Sequence, residues 1–72
     1  MRFDQMLKDF YQRYPNAREE NTLNKYRDSD IDWKQDPIDP DRFWGTGIKG
    51  GKYIAGYNKE LEIIVMGDKS DM

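Results

Sequence analysis

Residues 43–66 read FWGTGIKGGKYIAGYNKELEIIVM, and the way this stretch pairs with itself decides the fold. Three segments rich in aromatic and β-branched residues, Phe43–Lys49, Lys52–Tyr57 and Glu60–Met66, are separated by Gly50-Gly51 and Asn58-Lys59. Gly and Asn accept the positive φ of tight hairpin turns, so the stretch predicts a three-stranded antiparallel β-meander. Two-residue turns then set the register by counting, and register sets which side chains share a face. Tyr57 is expected opposite Glu60, Tyr53 opposite Ile64 and Ile54 opposite Ile63; on the other side Ile48 meets Tyr53, Thr46 meets Ala55 and Trp44 meets Tyr57.

Two unlike faces follow. The expected core face holds Phe43, Ile54, Leu61, Ile63 and Val65, and Gly45, Gly47 and Gly56 leave room there for a second element to approach closely. The other face gathers Trp44, Ile48, Tyr53, Tyr57 and Ile64 beside Thr46, Ala55, Glu60 and Glu62.

Upstream, Phe3, Met6, Leu7, Phe10 and Tyr14 recur at helical spacing and form one apolar stripe, with Asp4, Lys8, Asp9 and Gln12 on the remaining surface. Residues 1–14 are expected to be a helix, ended by Pro15, which lacks a donor and restricts Tyr14 before it. The glycine-flattened sheet face is the natural cover for that stripe. Residues 15–42 form an acidic connecting segment. Within it, residues 16–27 read either as a second short helix, with Asn16 as N-cap and Glu19 in capping-box position, or as a chain broken at Asn21-Thr22. Residues 28–42, with six aspartates and two prolines, predict an irregular loop with a brief edge strand at Ile31–Trp33, pinned by Ile31, Trp33 and Ile38. Residues 67–72 are expected to fray. The fold class is therefore α+β in one small domain of 72 residues: an N-terminal helix packed on a C-terminal three-stranded meander, with no parallel pairing.

Composition narrows the function. With no cysteine there is neither a disulfide framework nor a thiolate metal site, and a cytoplasmic location is the default expectation. With no histidine, the commonest general base and metal ligand are missing. No apolar run reaches membrane-spanning length, so no membrane partner is expected. Glu60 and Glu62 would share a strand face, but two carboxylates on an exposed hairpin read as solubilising residues; no enzyme activity and no cofactor are expected. The Gly45–Gly50 segment matches G-x-G-x-x-G, yet a strand follows it where a dinucleotide site needs a helix, so the glycines read as turn and packing residues.

Formal net charge is −2, unevenly spread: residues 42–59 carry four basic and no acidic side chains, whereas residues 15–41 carry four basic and eight acidic ones. Arg42, Lys49 and Lys52 thus adjoin Trp44, Ile48, Tyr53 and Tyr57, and these seven are the candidate binding residues. The leading expectation is a non-catalytic protein-binding module of adaptor or inhibitor type, a kind of freestanding domain frequent in phages and mobile elements. The alternative is a nucleic-acid binder, with the aromatics stacking bases and the cations meeting phosphates. A third reading has the aromatic face covered by residues 15–42 as a second core, leaving no exposed site.

Asp28, Asp30 and Asp32 open like a calcium loop, but Trp33 stands where the sharp-turn Gly belongs and Asp39 where a bidentate Glu belongs. Calorimetric titration is expected to show no calcium affinity tighter than about millimolar. A micromolar site abolished by Asp30→Asn would reverse this reading of the acidic loop.

Overall fold

The computed structural model describes residues 1–69. One helix, α1 (Phe3–Arg13), is followed by β1 (Arg18–Glu19), a 3₁₀ helix (Asn21–Lys25), β2 (Ile31–Gln35), β3 (Arg42–Gly47), β4 (Lys52–Asn58) and β5 (Ile63–Asp68). The strands make one sheet in the order β1-β5-β4-β3-β2. The α+β class of the sequence reading holds, but the sheet has five strands rather than three and is mixed: β1 runs parallel to β5. Tight turns exclude parallel pairing only between consecutive strands, and β1 reaches β5 across all of residues 20–62.

α1 forms where the stripe placed it and buries Phe3, Met6, Leu7 and Phe10. It ends one residue before the expected bound, with Tyr14 N–H closing onto the Phe10 carbonyl at 2.7 Å. The second helix is replaced. Main-chain bonds from Arg18 to Glu62 O (2.9 Å) and from Glu20 to Ile64 O (3.1 Å) hold residues 18–20 extended, and the 3₁₀ helix then drops Leu23, fully buried, into the core. The edge strand expected at Ile31–Trp33 is present and runs on to Gln35. Ile38 does not pin the loop after it, being 91% exposed; Asp36 and Asp39 shape that loop instead, accepting from the N–H groups of Ile38, Asp39 and Asp41 at 2.8–3.0 Å. Gly67 and Asp68 belong to β5, while the rest of the expected frayed tail beyond Lys69 lies outside the described residues.

Both hairpin registers differ from the two-residue count. The β3–β4 connection runs from Gly47 to Gly51, closed by Gly50 N–H to Gly47 O (3.0 Å) and Gly47 N–H to Gly51 O (2.8 Å), with Gly50 at φ 81°. Tyr53 therefore faces Gly45 rather than Ile48, a slip of three residues. An odd slip moves Trp44 to the face opposite Tyr57. The β4–β5 turn spans residues 59–62, built on Asn58 Oδ1, which accepts from Glu60 and Leu61 N–H, and on Glu62 at φ 54°. Tyr57 faces Ile64, not Glu60: a slip of four, which preserves which residues share a face.

The consequence is an inverted core. α1 and the 3₁₀ helix cover the face that carries Phe43, Ala55, Ile64 and Met66 together with Ile31 and Trp33 from β2, and Tyr53 and Tyr57 pack at its margin. Of the expected core face only Phe43 is truly buried; Leu61 lies in a turn, 59% exposed, and Ile54, Ile63 and Val65 are half-buried on the far side. Trp33 explains the choice. It is fully buried opposite Gly45, and a Cβ at Gly45 would come within 2.8–2.9 Å of its ring and 2.7 Å of Ile31 Cγ2.

Adjacent residues of β5 now test the inversion. Ile64→Ala should cost about 2–5 kcal/mol, as should Phe10→Ala, whereas Ile63→Ala should cost about 1 kcal/mol or less. Equal losses at positions 63 and 64 in denaturant titrations would show that the faces are assigned wrongly.

Candidate functional site

The face of the sheet away from α1 is crossed by no element among the described residues. Its centre is an apolar strip. Trp44 lies beside Ile54, Ile54 opposite Gly67, Val65 opposite Gly56, and Ile63 opposite Asn58, so Trp44, Ile54, Val65 and Ile63 follow one another diagonally across β3, β4 and β5, all half-buried. Because partners across a ladder share a face, the same surface holds Lys34 opposite Trp44, Arg42 opposite Gly56, Lys52 opposite Thr46 and Arg18 beside Ile63. Only one strand-borne acid joins them: Asp32, opposite Thr46, whose carboxylate is 3.1 Å from the Met1 ammonium.

Gly56 forms the floor of a shallow hollow of about 410 Å³, walled by Ile54, Val65, Asn58, Lys59 and Arg42 and by the acids Asp39 and Asp41, with Asp39 3.9 Å from the Arg42 guanidinium. A Cβ added at Gly56 would meet nothing closer than the Asp41 carbonyl at 3.8 Å, so the space above this glycine is vacant rather than spoken for by packing. At one side of the strip the Trp44 indole donates to Asp36 Oδ2 at 2.7 Å, and Lys69 Nζ sits 5.5 Å from its ring centroid. Asp36 is lowered to about 2, first by the Asp39 main-chain N–H, then by the indole and the Ile38 N–H. The indole is thereby fixed in orientation by a carboxylate that stays ionised.

Asp41, which lines the hollow, also forms the polar node that anchors the sheet to α1. Asp41, only 14% exposed at its side chain, accepts from Arg13 and from the Tyr14 hydroxyl (2.7 Å), with Lys59 Nζ at 3.6 Å. Burial alone would raise this carboxyl; the Tyr14 and Arg13 hydrogen bonds, with the charges of Arg13 and Lys59, outweigh burial and hold it below its ordinary value. Tyr14 in turn stacks on Tyr57, centroids 3.9 Å apart and rings 10° from parallel, and its phenol is pushed up chiefly by its bond to Asp41.

The structure therefore divides the seven residues singled out from the sequence. Trp44, Arg42 and Lys52 share the open face. Tyr53 and Tyr57 point to the helix side, Tyr53 edge-on to Tyr26 at 5.5 Å and Tyr57 under Tyr14. Ile48, 79% exposed, and Lys49 project from the Gly47–Gly51 turn. Missed by the sequence reading were Ile54, Val65 and Ile63, which had been assigned to the core, and Lys34 and Arg18, which lay in segments read as loop and helix. Three glycines within five residues at 47–51 were the available signal that the turn is longer than two. Among the described residues no three carboxylates converge as a metal site would need, and the aspartates at 36 and 39 are engaged in turns. Comparison with known proteins finds no matching family model, no similar curated protein and no similar solved structure.

The Asp41 node makes a pH prediction with a definite sign. A carboxyl held below its unfolded value adds stability above the ordinary carboxylate range, and that stability is lost as pH falls through the lower folded value. Asp41 and Asp36 both lie on this side, so denaturation midpoints should be flat from about pH 5 to 7 and fall from about pH 4 towards 2. Asp41→Asn should lower the plateau by about 1–3 kcal/mol and make the acid decline shallower. A parent protein equally stable at pH 6 and pH 2.5 would contradict this assignment.

Proposed function

We propose that the chain is a non-catalytic protein-binding module of adaptor or inhibitor type, docking through the open sheet face. The observation that carries the proposal is the composition of that face: a continuous strip of Trp44, Ile54, Val65 and Ile63 around the vacant floor at Gly56, with cations on four strands at its rim. An apolar centre with a polar rim is the usual anatomy of a protein interface, and a hollow at the centre suits one anchoring side chain from the partner. Lys34, Lys52 and Arg18 favour a partner whose rim is acidic along these strands, while Arg42 is already paired with Asp39 at 3.9 Å. A non-catalytic role is supported by the carboxylates bordering this face: hydrogen bonds hold Asp36 and Asp41 below their ordinary values, away from the near-neutral range in which a general acid or base works.

The nucleic-acid reading draws support from the same four cations. What weighs against it is the separation of the aromatics, since a stacking platform for successive bases needs several rings on one face and only Trp44 remains there.

A photo-crosslinking residue in place of exposed Lys52, in full-length protein added to native lysate, separates these readings, with the same residue in place of Lys8 on α1 as the control. The expected result is a discrete protein adduct from position 52 that survives nuclease, is absent at position 8 and weakens at least about tenfold, or about 1.4 kcal/mol, with Gly56→Val, which fills the hollow without touching the core. An adduct removed by nuclease would transfer the function to nucleic acid, and no adduct at position 52 would sink the proposal.

A further inference from the structure

The cations of the open face fall into two groups according to whether a carboxylate meets them. At the Gly56 end, Arg42 lies 3.9 Å from Asp39 and Lys59 lies 3.6 Å from Asp41, so the hollow is close to neutral. The Trp44 end differs. Lys34 stands opposite Trp44 from β2, Lys52 lies two residues before Ile54 on β4, and Lys69, just past the end of β5, sets its ammonium 5.5 Å from the Trp44 ring centroid. All three are exposed, and among the described residues none of them makes an ion pair.

The two acids on this side are engaged elsewhere: Asp32 with the Met1 ammonium at 3.1 Å, and Asp36 with the indole N–H and the main-chain N–H groups of Ile38 and Asp39. Apart from the cation–π contact of Lys69, the fold gains nothing from gathering like charges about one indole. Trp44 is also prepared for contact. Its bond to Asp36 at 2.7 Å fixes the ring in advance, so docking freezes little rotamer freedom.

We propose that the partner meets the Trp44 end of the open face with an acidic segment of its chain: an apolar side chain seated on Trp44 and Ile54, flanked by Asp or Glu residues that reach Lys34, Lys52 and Lys69. The inference rests on docking through the open face and adds which end of that face selects the partner, and by what charge. Lys34 and Lys52 are two strand spacings apart, about 10 Å at the backbone, which suits carboxylates spaced along a chain better than one phosphate group. Lysine also lacks the planar fork with which Arg grips phosphate. Nucleic acid finds a single ring here for its bases, whereas Ile54, Val65 and Ile63 beyond it suit aliphatic side chains. At the far end Asp39 and Asp41 repel an acidic segment laid the wrong way round.

The test uses a phage-displayed library of random peptides selected on the whole chain, followed by synthetic copies of the enriched clones. The expected result is enrichment of peptides in which acids flank an apolar residue, with affinity that falls at least about tenfold toward the Lys34→Glu/Lys52→Glu protein. Lysines in place of the peptide's acids should restore binding to that variant, a rescue that damage to the fold cannot produce. In the complex with the parent protein the Trp44 indole N–H resonance should shift, while that of fully buried Trp33 stays in place. Enrichment without acids, acidic peptides indifferent to the lysine reversal, or no enriched peptide at all overturns the proposal. Peptides lost with Gly56→Val but indifferent to the lysine reversal overturn it too, while sparing the open face as the docking surface. A mixed-sequence oligonucleotide that displaces the peptide at a lower concentration than free peptide does would assign the Trp44 end to nucleic acid instead.

Discussion

The structure depends on the closeness of Trp33 to the backbone at Gly45. A fully buried Trp is the largest apolar group in this core, and it reaches its place only because the residue across the ladder has no side chain. Once Trp33 lies on the helix side, so do Ile31 and Gln35 in β2 and, across the ladders, Phe43, Tyr53, Ala55, Tyr57, Ile64 and Met66. The opposite face then receives Trp44, Ile54, Ile63 and Val65. One glycine thus determines which of two nearly equal apolar surfaces is spent on folding and which is left for contact.

The covering layer is thin, one helix of 11 residues and one turn of 3₁₀ helix, and two polar nodes fasten it. Asp41 joins the end of α1 to the start of β3 through Arg13 and Tyr14. Glu19 accepts from Tyr11 and Arg27, each at 2.5 Å, and so ties α1 to β1 and to the segment after the 3₁₀ helix. Both carboxylates are partly sheltered, at 14% and 29% side-chain exposure, and both keep their charge because hydrogen bonds outweigh the cost of burial. In a domain too small for a large core, fastening of this kind sets the angle of the helix on the sheet, which apolar contacts alone leave loosely specified.

How much of this was legible in the sequence follows from which interactions are local. The helix was readable because its stripe, Phe3, Met6, Leu7 and Phe10, is a property of consecutive turns. The positions of β3 and β4, and part of β2 from Ile31 and Trp33, were readable for the same reason, whereas β5 begins three residues later than expected and β1 falls in a stretch read as helix. Register was not. In β4 one face carries Tyr53, Ala55 and Tyr57 and the other Ile54 and Gly56, so alternation gives no preference, and a turn misjudged by three residues at Gly47–Gly51 redistributed the aromatics without leaving any local conflict. The slip at Asn58, being even, did no such harm. The candidate site inherited the error: the odd slip that sent Tyr53 and Tyr57 to the helix side is what brought Lys52 onto the face of Trp44 and Arg42. Arg18 and Lys34 reach the face only through β1 and β2, whose pairing partners lie up to 45 residues away at Ile63 and are invisible to any short window.

The distribution of charge over the folded protein completes the argument. The sequence is slightly acidic, and while the strands of the open face present four cations and one acid, the loop acids Asp36, Asp39 and Asp41 border the same face. Carboxylates of the loop before β3 thus meet the border of the strip: Asp36 on the Trp44 indole, Asp39 3.9 Å from Arg42 and Asp41 3.6 Å from Lys59. On the proposed docking, salt would act mainly on the encounter through these exposed charges, because the apolar strip beneath is insensitive to screening. The rim charges would then set how fast and in what orientation a partner arrives, and Trp44 with its aliphatic neighbours would set how long it stays.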